Sequence, residues 1–508
     1  MSLEKFVIKY DGNRPVFPSE DDEGYIEYKL RLDHTDPFRI TKLTTQMKFR
    51  LHEGKSILGK YIAYYFIGVD DDGLTGYISL EILNNSLSVL EKMVKDCDAI
   101  IHEINRYHVD DKHFAIVTII TRKDDYINDL RLAFVGPSDS GKTTCVSVLT
   151  YNDKDNGNGS GRSSVFKHIH EQNSGLTSSV KHDIIGFNDK GSLVNYRSNL
   201  FCSWDYIVNN SSKIINLIDL PGSNKYIKTM IYGLLSYRPH MVMIVVSLND
   251  SDVETNLEYY VKLCINVKTK FMILFTKHDL MKNIDDYIED LVIKLKCFKN
   301  FNDYFDGILS ISNKTLYNYD KLINKLRNFE KLNKDKSDSV DFLVNAVYNS
   351  TEIGNIVSGV MLNGCIKVND TLKIGLFNDK FYDVVVKSIH KKQTDYSAIY
   401  EDEMGSLELI TKDKIEFNKH MMIIKDEHIM KSILTLKLDD ISNIVLGHHY
   451  LLCVDNLIET IVINLIENDV VTFNFLNHFC FLRNKSNVLL FDHNYHLISI
   501  GEVHKVND

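Results

Sequence analysis

The chain is 508 residues long, 44% hydrophobic and 25% charged, which is enough apolar material for three or four globular domains and excludes a disordered protein. A formal net charge of -10 excludes a general nucleic-acid coat, because phosphate contacts need positive charge. It leaves room for RNA contact through a local basic stretch such as Lys387-Ser-Ile-His-Lys-Lys392, although such a run is more often a solvated face.

In chain order, residues 1–128 read as an N-terminal α/β domain. An amphipathic run lies near 42–51, with strands near 62–69, 99–104 and 114–121. Between them Leu80, Leu83, Leu87, Leu90 and Val94 recur at helical spacing, a core stripe rather than a cofactor box. Strands then alternate with helices over 129–330, the signature of a mostly parallel sheet covered on both faces. Inside that stretch, 152–162 is polar and glycine-rich and reads as a flexible, uncapped loop. Residues 331–339 form a charged linker. Short alternating runs with turn residues beyond it predict two β-barrels, at 340–415 and 416–508.

Eight scattered cysteines without a Cys-x-x-Cys pair read as reduced core residues of a cytosolic protein. Cys145 follows a glycine-rich loop, and a small buried packing role suits it better than reactivity. His448-His449 and His168-x-His170 lack cysteine or carboxylate partners at ligand spacing and read as structural or solvated. No stretch approaches the ~20 apolar residues of a membrane span, and Met1-Ser-Leu-Glu-Lys begins no signal peptide. A cytoplasmic protein without membrane contact is expected. Six prolines beside abundant Asn, Ile, Lys and Asp suit an AT-rich genome such as that of a large virus or protist.

The chemistry is carried by a set of strand-end motifs. Leu132-Ala-Phe-Val-Gly136-Pro-Ser-Asp139-Ser140-Gly141-Lys142-Thr143-Thr144 sets an apolar strand before G-x-x-x-x-G-K-T and a helical pattern after it. Gly136 and Gly141 let backbone N–H groups close around phosphate oxygens, with Asp139 and Ser140 in the turn. Lys142 reaches the outer phosphates, Thr143 can take a place on Mg²⁺, and Thr144 opens a helix whose positive end faces the anion. Ile214-Ile-Asn-Leu-Ile-Asp219-Leu-Pro-Gly222 ends a second strand in D-x-P-G, where Asp219 can hold Mg²⁺ through water and the Gly222 N–H can sense a γ-phosphate. Phe271-Met-Ile-Leu-Phe-Thr276-Lys277-His278-Asp279 ends a third strand in T-K-x-D. There Asp279 can accept both the ring N–H and the exocyclic amine of guanine, which adenine does not offer, and the Lys277 stem can lie over the base. Ile311-Ser312-Asn313 follows a fourth strand, at the place where a loop would close over that base. The bound nucleotide is therefore expected to be GTP or GDP with Mg²⁺. Thr177 lies between the first two motifs, in a segment, 175–183, expected to order only around a γ-phosphate.

The surroundings of Thr177 are more specific than the threonine itself. Phe166-Lys-His-Ile-His-Glu171-Gln-Asn-Ser-Gly175-Leu-Thr177-Ser-Ser-Val-Lys181-His-Asp-Ile-Ile-Gly-Phe187-Asn resembles the switch region of the GTP-binding protein 1 and 2 family, relatives of elongation factor 1-alpha and of the ribosome-rescue GTPases. The likeness extends to Glu23-Gly-x-Ile-Glu27-Tyr-Lys-Leu, Thr45-Gln-Met-Lys-Phe-Arg50-Leu-x-Glu-Gly54 and Gly68-Val-Asp-Asp-Asp-Gly near the N-terminus. It continues through Asp219-Leu-Pro-Gly-x-x-Lys225-Tyr226-x-Lys-Thr229, then Gly354-Asn-Ile-Val-Ser-Gly359 and Gly364-x-Ile-Lys-Val-Asn-Asp370. The resemblance implies an α/β P-loop G domain with a mostly parallel sheet, an N-terminal α/β domain and two C-terminal β-barrels. It also implies a factor that engages ribosomes or tRNA, not DNA, with GTP state as its switch and Thr143, Thr177 and Asp219 at the metal.

Four positions depart from that family, three of them bearing on hydrolysis and one on the tRNA-facing surface. The residue after D-x-x-G, a water-positioning histidine in translational GTPases, is Ser223 here, too short and uncharged near neutral pH. Pro221 replaces a small residue, Pro137 a polar one in the phosphate loop, and Glu352 a barrel glycine on the tRNA-facing side. Lys142, Thr177, Gly222 and Ser223 form the expected catalytic set, with hydrolysis weakened. Two rivals remain: a GTP-bound scaffold that has lost hydrolysis, and a G-domain protein turned to a non-ribosomal partner.

Overall fold

A computed structural model describes residues 6–504, apart from 13, 22, 33–36, 59–60, 76–77, 98, 110, 122–127, 153, 157–170, 172–175, 189, 198–199, 281–283, 332–338, 351–353, 378–379, 393, 397, 414, 426–433, 477–481 and 483–484. The chain divides into two compact units, Met1–Ile127 and Asn128–Asp508.

The first unit is a four-stranded sheet in the order Ile26–Lys29, Ile62–Ile67, Lys112–Thr121, Ala99–Val109, covered by helices Pro37–Leu58 and Leu80–Asp96. Strand Ile62–Ile67 is buried throughout because both its faces are covered. Ala63, Tyr65 and Ile67 meet the helices, while Tyr64 and Phe66 meet Phe17 and Phe114. Leu83, Leu87, Leu90 and Val94 are buried as the spacing predicts, but Leu80, in the first turn, is exposed. The strand read as 99–104 runs on to Val109, paired residue for residue with Lys112–Thr121 past a bulge. Beyond Ile104 it runs Asn105-Arg106-Tyr107-His108, so an apolar pattern shows only the first half. The two N-terminal motifs meet: Arg50 Nε donates to Glu27 Oε2 at 2.6 Å, both buried. Gly54 is required where the first helix crosses the sheet, since a Cβ there would lie 1.9 Å from the Ile62 carbonyl oxygen.

The second unit holds the sheet that builds the site. Its order is Phe305–Ser310, Lys270–Thr276, Met241–Ser247, Asn128–Val135, Lys213–Asp219, Lys181–Phe187, all parallel except the last. Central strands such as Met-Val-Met-Ile-Val-Val-Ser are buried at every position because helices cover both faces. Lys142–Tyr151 and Tyr319–Arg327 lie on one side, and Ile227–Ser236, Val253–Val267 and Ile284–Leu295 on the other.

Two closed six-stranded barrels follow. The first is closed by the pairing of Thr371–Phe377 with Lys380–Lys391, and it includes Met422–Ile424, which pairs with Asp341–Leu343 and with 373–375. This places its last strand beyond the limit of 415 read from the sequence. Three residues after a long polar loop are too few to show an alternating pattern. The second barrel spans Leu434–Leu438 to Leu497–His504. Its Cys453, Ile458, Leu489 and Phe491 join the apolar core beneath helix Val253–Val267. Among the described residues, no helix is long and apolar enough to cross a membrane.

Candidate nucleotide-binding site

Strand Asn128–Val135 delivers the chain to Gly136, which adopts φ 144°; a Cβ here would lie 2.0 Å from the Val245 carbonyl oxygen. The turn that follows puts Asp139 at φ 57° and Gly141 at φ 90°. Helix Lys142–Tyr151 then begins with no side chain capping its first N–H groups, so those donors and the dipole end remain available to an anion. Lys142 Nζ donates to Gly136 O at 2.8 Å and Pro137 O at 2.7 Å. Burial pushes its ammonium down to about 8, against the opposing pull of Asp219 and Asp139. A buried cation so depressed favours an anionic ligand, which would restore the charge's partner. The far end of the helix is capped by Asn152 at φ 57°, whose N–H bonds Val148 O, which corrects the uncapped reading of 152.

Three groups expected at a metal converge behind Lys142. Thr143 Oγ1 donates to Asp219 Oδ2 at 2.7 Å and lies 3.0 Å from Thr177 Oγ1. Burial holds the Asp219 carboxyl above its ordinary value, despite the Thr143 hydrogen bond and the nearby Lys142 and Lys181. The second oxygen, Asp219 Oδ1, is buried without a hydrogen-bond partner. Two hydroxyls and a half-satisfied carboxylate are hard oxygen donors and fit Mg²⁺ completed by waters and phosphate. No cluster of three or more His, Cys, Asp or Glu exists among the described residues, so the phosphates would be needed to complete such a shell.

The chain next crosses the phosphate loop. A Cβ on Gly222 would lie 2.3 Å from Lys142 Nζ and 2.6 Å from Gly136 O, so only glycine fits. Ser223 precedes the turn Asn224–Tyr226, with its carbonyl accepting from Tyr226 N at 2.8 Å, and faces the cleft.

At the opposite end, hydrogen bonds fix the residues to one another. Thr276 Oγ1 donates to Ser140 O at 2.5 Å, and Ser312 Oγ donates to Asp279 Oδ1 at 2.5 Å while accepting from Thr315 N at 3.1 Å. Asn313 Nδ2 donates to Gly141 O at 3.2 Å, and its Oδ1 accepts from Tyr319 OH at 2.7 Å. Lys277 takes φ 59°, and the ring of His278 stacks on Tyr317 with centroids 4.2 Å apart.

These elements enclose a cleft of about 420 Å³. Asp139, Gly141, Lys142, Thr143, Thr144, Thr177, Gly222, Ser223, Lys277, Asp279 and Asn313 line it. Gly136, Ser140, Asp219, Thr276 and Ser312 stand behind that lining and brace it through the contacts above. Motif reading missed Ser138, Asp155, Leu176, Leu280 and Lys314, which also line the cleft. Asp155 N donates to Asn313 O at 3.3 Å, so the loop after the helix closes on the base-end loop. Ser138, Leu280 and Lys314 sit one residue from motif positions, which was the available signal. Gly175, Phe166, His168, His170 and Glu352 lie outside the described residues.

Two minor expectations also meet the structure. The basic stretch is spent on carboxylates: Lys387 pairs with Glu408 at 2.6 Å, Lys391 with Glu403 at 2.9 Å, and Lys392 with Asp129. Cys145 is fully buried, its thiol pushed up to about 12 by burial, as suits an inert packing residue.

Residues 128–395 match the elongation factor Tu GTP-binding domain. Among whole proteins, the chain is 32% identical to GTP-binding protein 2 of Homo sapiens, over 82% of this chain and 74% of that one. It is 29% identical to GTP-binding protein 1 of Xenopus laevis, over 75% of this chain and 62% of that one. Among solved structures it is similar to a bacterial selenocysteine-specific elongation factor, with TM-score 0.57 and 19% identity over 74% of this chain and 58% of that one.

Proposed function

The chain belongs to the translational GTPase family of the elongation factor Tu type, and on that premise we propose that it is a magnesium-dependent GTP-binding switch factor acting on ribosomes or tRNA in the cytoplasm. The observation that carries the reading is one cleft with the carboxylate of Asp279 at one end and the hydroxyls of Thr143 and Thr177 at the other, backed by the half-satisfied carboxylate of Asp219. Asp279, oriented by Ser312, accepts from the guanine edge. Lys277 covers the base, Lys142 and the helix N-terminus hold the phosphates, and Thr143, Thr177 and Asp219 hold Mg²⁺, which supplies positive charge to the β- and γ-phosphates.

Hydrolysis is slow in this reading, because Ser223 cannot orient water as a longer, titratable side chain would, while Lys142 retains its electrostatic role. Calorimetry with GTP, GDP and ATP, with and without Mg²⁺, tests the site. GTP and GDP should bind with Mg²⁺, and ATP binding as tightly as GTP would refute the base assignment. Co-sedimentation with ribosomes in a non-hydrolysable GTP analogue tests the partner. Ser223 also favours a second reading, a GTP-bound regulator without turnover and with a non-ribosomal partner, which the same sedimentation would support by its failure.

A further inference from the structure

Thr177 Oγ1 lies 3.0 Å from Thr143 Oγ1, in a stretch, 176–180, that is neither strand nor helix. What fixes it is a buried charge pair used by none of the roles assigned above. Glu171 and Lys181 are both buried, with Glu171 Oε2 2.8 Å from Lys181 Nζ. Glu171 Oε1 accepts the backbone N–H of Ser178 at 2.8 Å and its hydroxyl at 2.9 Å. Ser178 is the residue next to Thr177, so a single carboxylate grips the segment immediately beyond the metal threonine. Lys181 opens strand Lys181–Phe187 directly opposite Asp219 in the antiparallel pair. The same ammonium therefore answers Glu171 and stabilises the buried Asp219 carboxylate.

We propose that Glu171 and Lys181 are positioning residues that hold Thr177 and Asp219 together at the Mg²⁺ site, making the γ-phosphate switch depend on a buried ion pair between residues ten positions apart. The metal role of Thr177 is taken from the proposed function, and the anchoring of Thr177 stands apart from it. The physical basis is the rigidity of the grip. Two hydrogen bonds to an ionised carboxylate are stronger than neutral ones, and a buried pair tolerates little displacement because either charge alone is left unsolvated. Burial raises the Glu171 carboxyl, but Lys181 and the two Ser178 donors outweigh it and hold it down at about 2.

Removing one charge alone would leave the other buried and threaten the fold, so the test replaces both, as Glu171→Leu with Lys181→Met in the full-length chain. Thermal unfolding should show that the fold survives. Without nucleotide, hydrogen exchange over residues 176–180 should speed up about tenfold or more, since the Ser178 N–H loses its charged acceptor. With Mg²⁺, affinity for a non-hydrolysable GTP analogue should fall about tenfold while GDP affinity holds. In a Thr177→Ala background the paired substitution should cost clearly less than it does alone, because the share of its effect that passes through Thr177 is already lost and only the share through Asp219 remains. Unchanged exchange without nucleotide overturns the anchor whether or not the chain binds GTP. A loss that simply adds to that of Thr177→Ala overturns the positioning role. Faster exchange in a protein that binds no nucleotide even unmodified would leave the anchor standing and reject the nucleotide reading instead.

Discussion

The two ends of the cleft are built on opposite principles. At the base end the polar groups are already matched within the protein: Asp279 by Ser312, Asn313 by Tyr319 and Gly141, Thr276 by Ser140. At the phosphate end Lys142 and Thr143 also find partners, on Gly136 O, Pro137 O and Asp219 Oδ2, but charge and donors are left over. Asp219 carries an oxygen without a hydrogen bond, the helix N-terminus has no side-chain cap, and Lys142 is depressed by burial. Matched groups define a shape and select among ligands by how well they fit it. Unmatched ones store a demand for charge, and the ligand that meets it gains affinity. Affinity should therefore reside at the phosphate end and selectivity at the base end.

The largest effect that separates them comes from Lys142→Ala. It deletes a charge-assisted contact in a buried site, worth roughly 1.5–3 kcal/mol, so GTP and GDP affinity should fall by about one to two decades. Calorimetry reads this directly, and an unchanged dissociation constant would mean that the loop holds no phosphate. At the base end Asp279→Asn keeps the shape and exchanges an acceptor for a donor. GTP should weaken by about a decade while xanthine nucleotides gain. Equal weakening of GTP and xanthosine triphosphate would erase the division between the two ends.

How much of this was legible in the sequence follows the same division between local and distant. Groups suited to phosphate and guanine are consecutive backbone groups and side chains at fixed offset, so Gly136, Lys142, Asp219 and Asp279, which the structure gathers about one cleft, stand out as short strings at strand ends. The sheet was legible because its central strands are continuous apolar runs. Contacts between distant strings left no periodicity. Arg131 donates to Asp402 across 271 positions, and His240 meets the same carboxylate at 2.6 Å, docking the first barrel on the G domain. Glu171 was in view as part of a switch-like string, but no spacing rule joins a glutamate to a lysine across a loop. Asp155 lay in a polar stretch read as flexible, and only its bond to Asn313 brings it to the cleft.

The electrostatic demand at the phosphate end can be read through pH. In the free protein Lys142 loses its proton at about 8, against an ordinary value of 10.5. Phosphates beside it would return that value upward, because they favour the charged form. Below pH 8 the ammonium is already charged, so binding should take up no proton there. Above pH 8 binding must recharge it, and affinity should fall by about tenfold per pH unit until the ordinary lysine value is approached. Calorimetry in buffers of different ionisation enthalpy should show uptake approaching one proton at pH 9 and none at pH 7. The Lys142→Ala variant should lose this dependence, whereas Asp279→Asn should retain it. Uptake that survives in Lys142→Ala would place the titrating group elsewhere.

The smallest expected effect concerns the boundary between the two principles, where Ser223 faces the cleft beside Gly222 but offers no titratable group. If turnover is limited by the missing side chain, Ser223→His should raise ribosome-stimulated GTP hydrolysis several-fold and leave GTP affinity unchanged. The gain stays well below the 10²–10⁴-fold that a fully positioned acid–base group supplies, because an introduced imidazole brings with it no partner to fix its orientation. Single-turnover assays with and without ribosomes give the comparison. Fast ribosome-dependent hydrolysis by the unmodified protein would show that another group orients the water. In that case the phosphate end would be complete without a histidine, and the readings of slow turnover and of a non-hydrolysing scaffold would both fall.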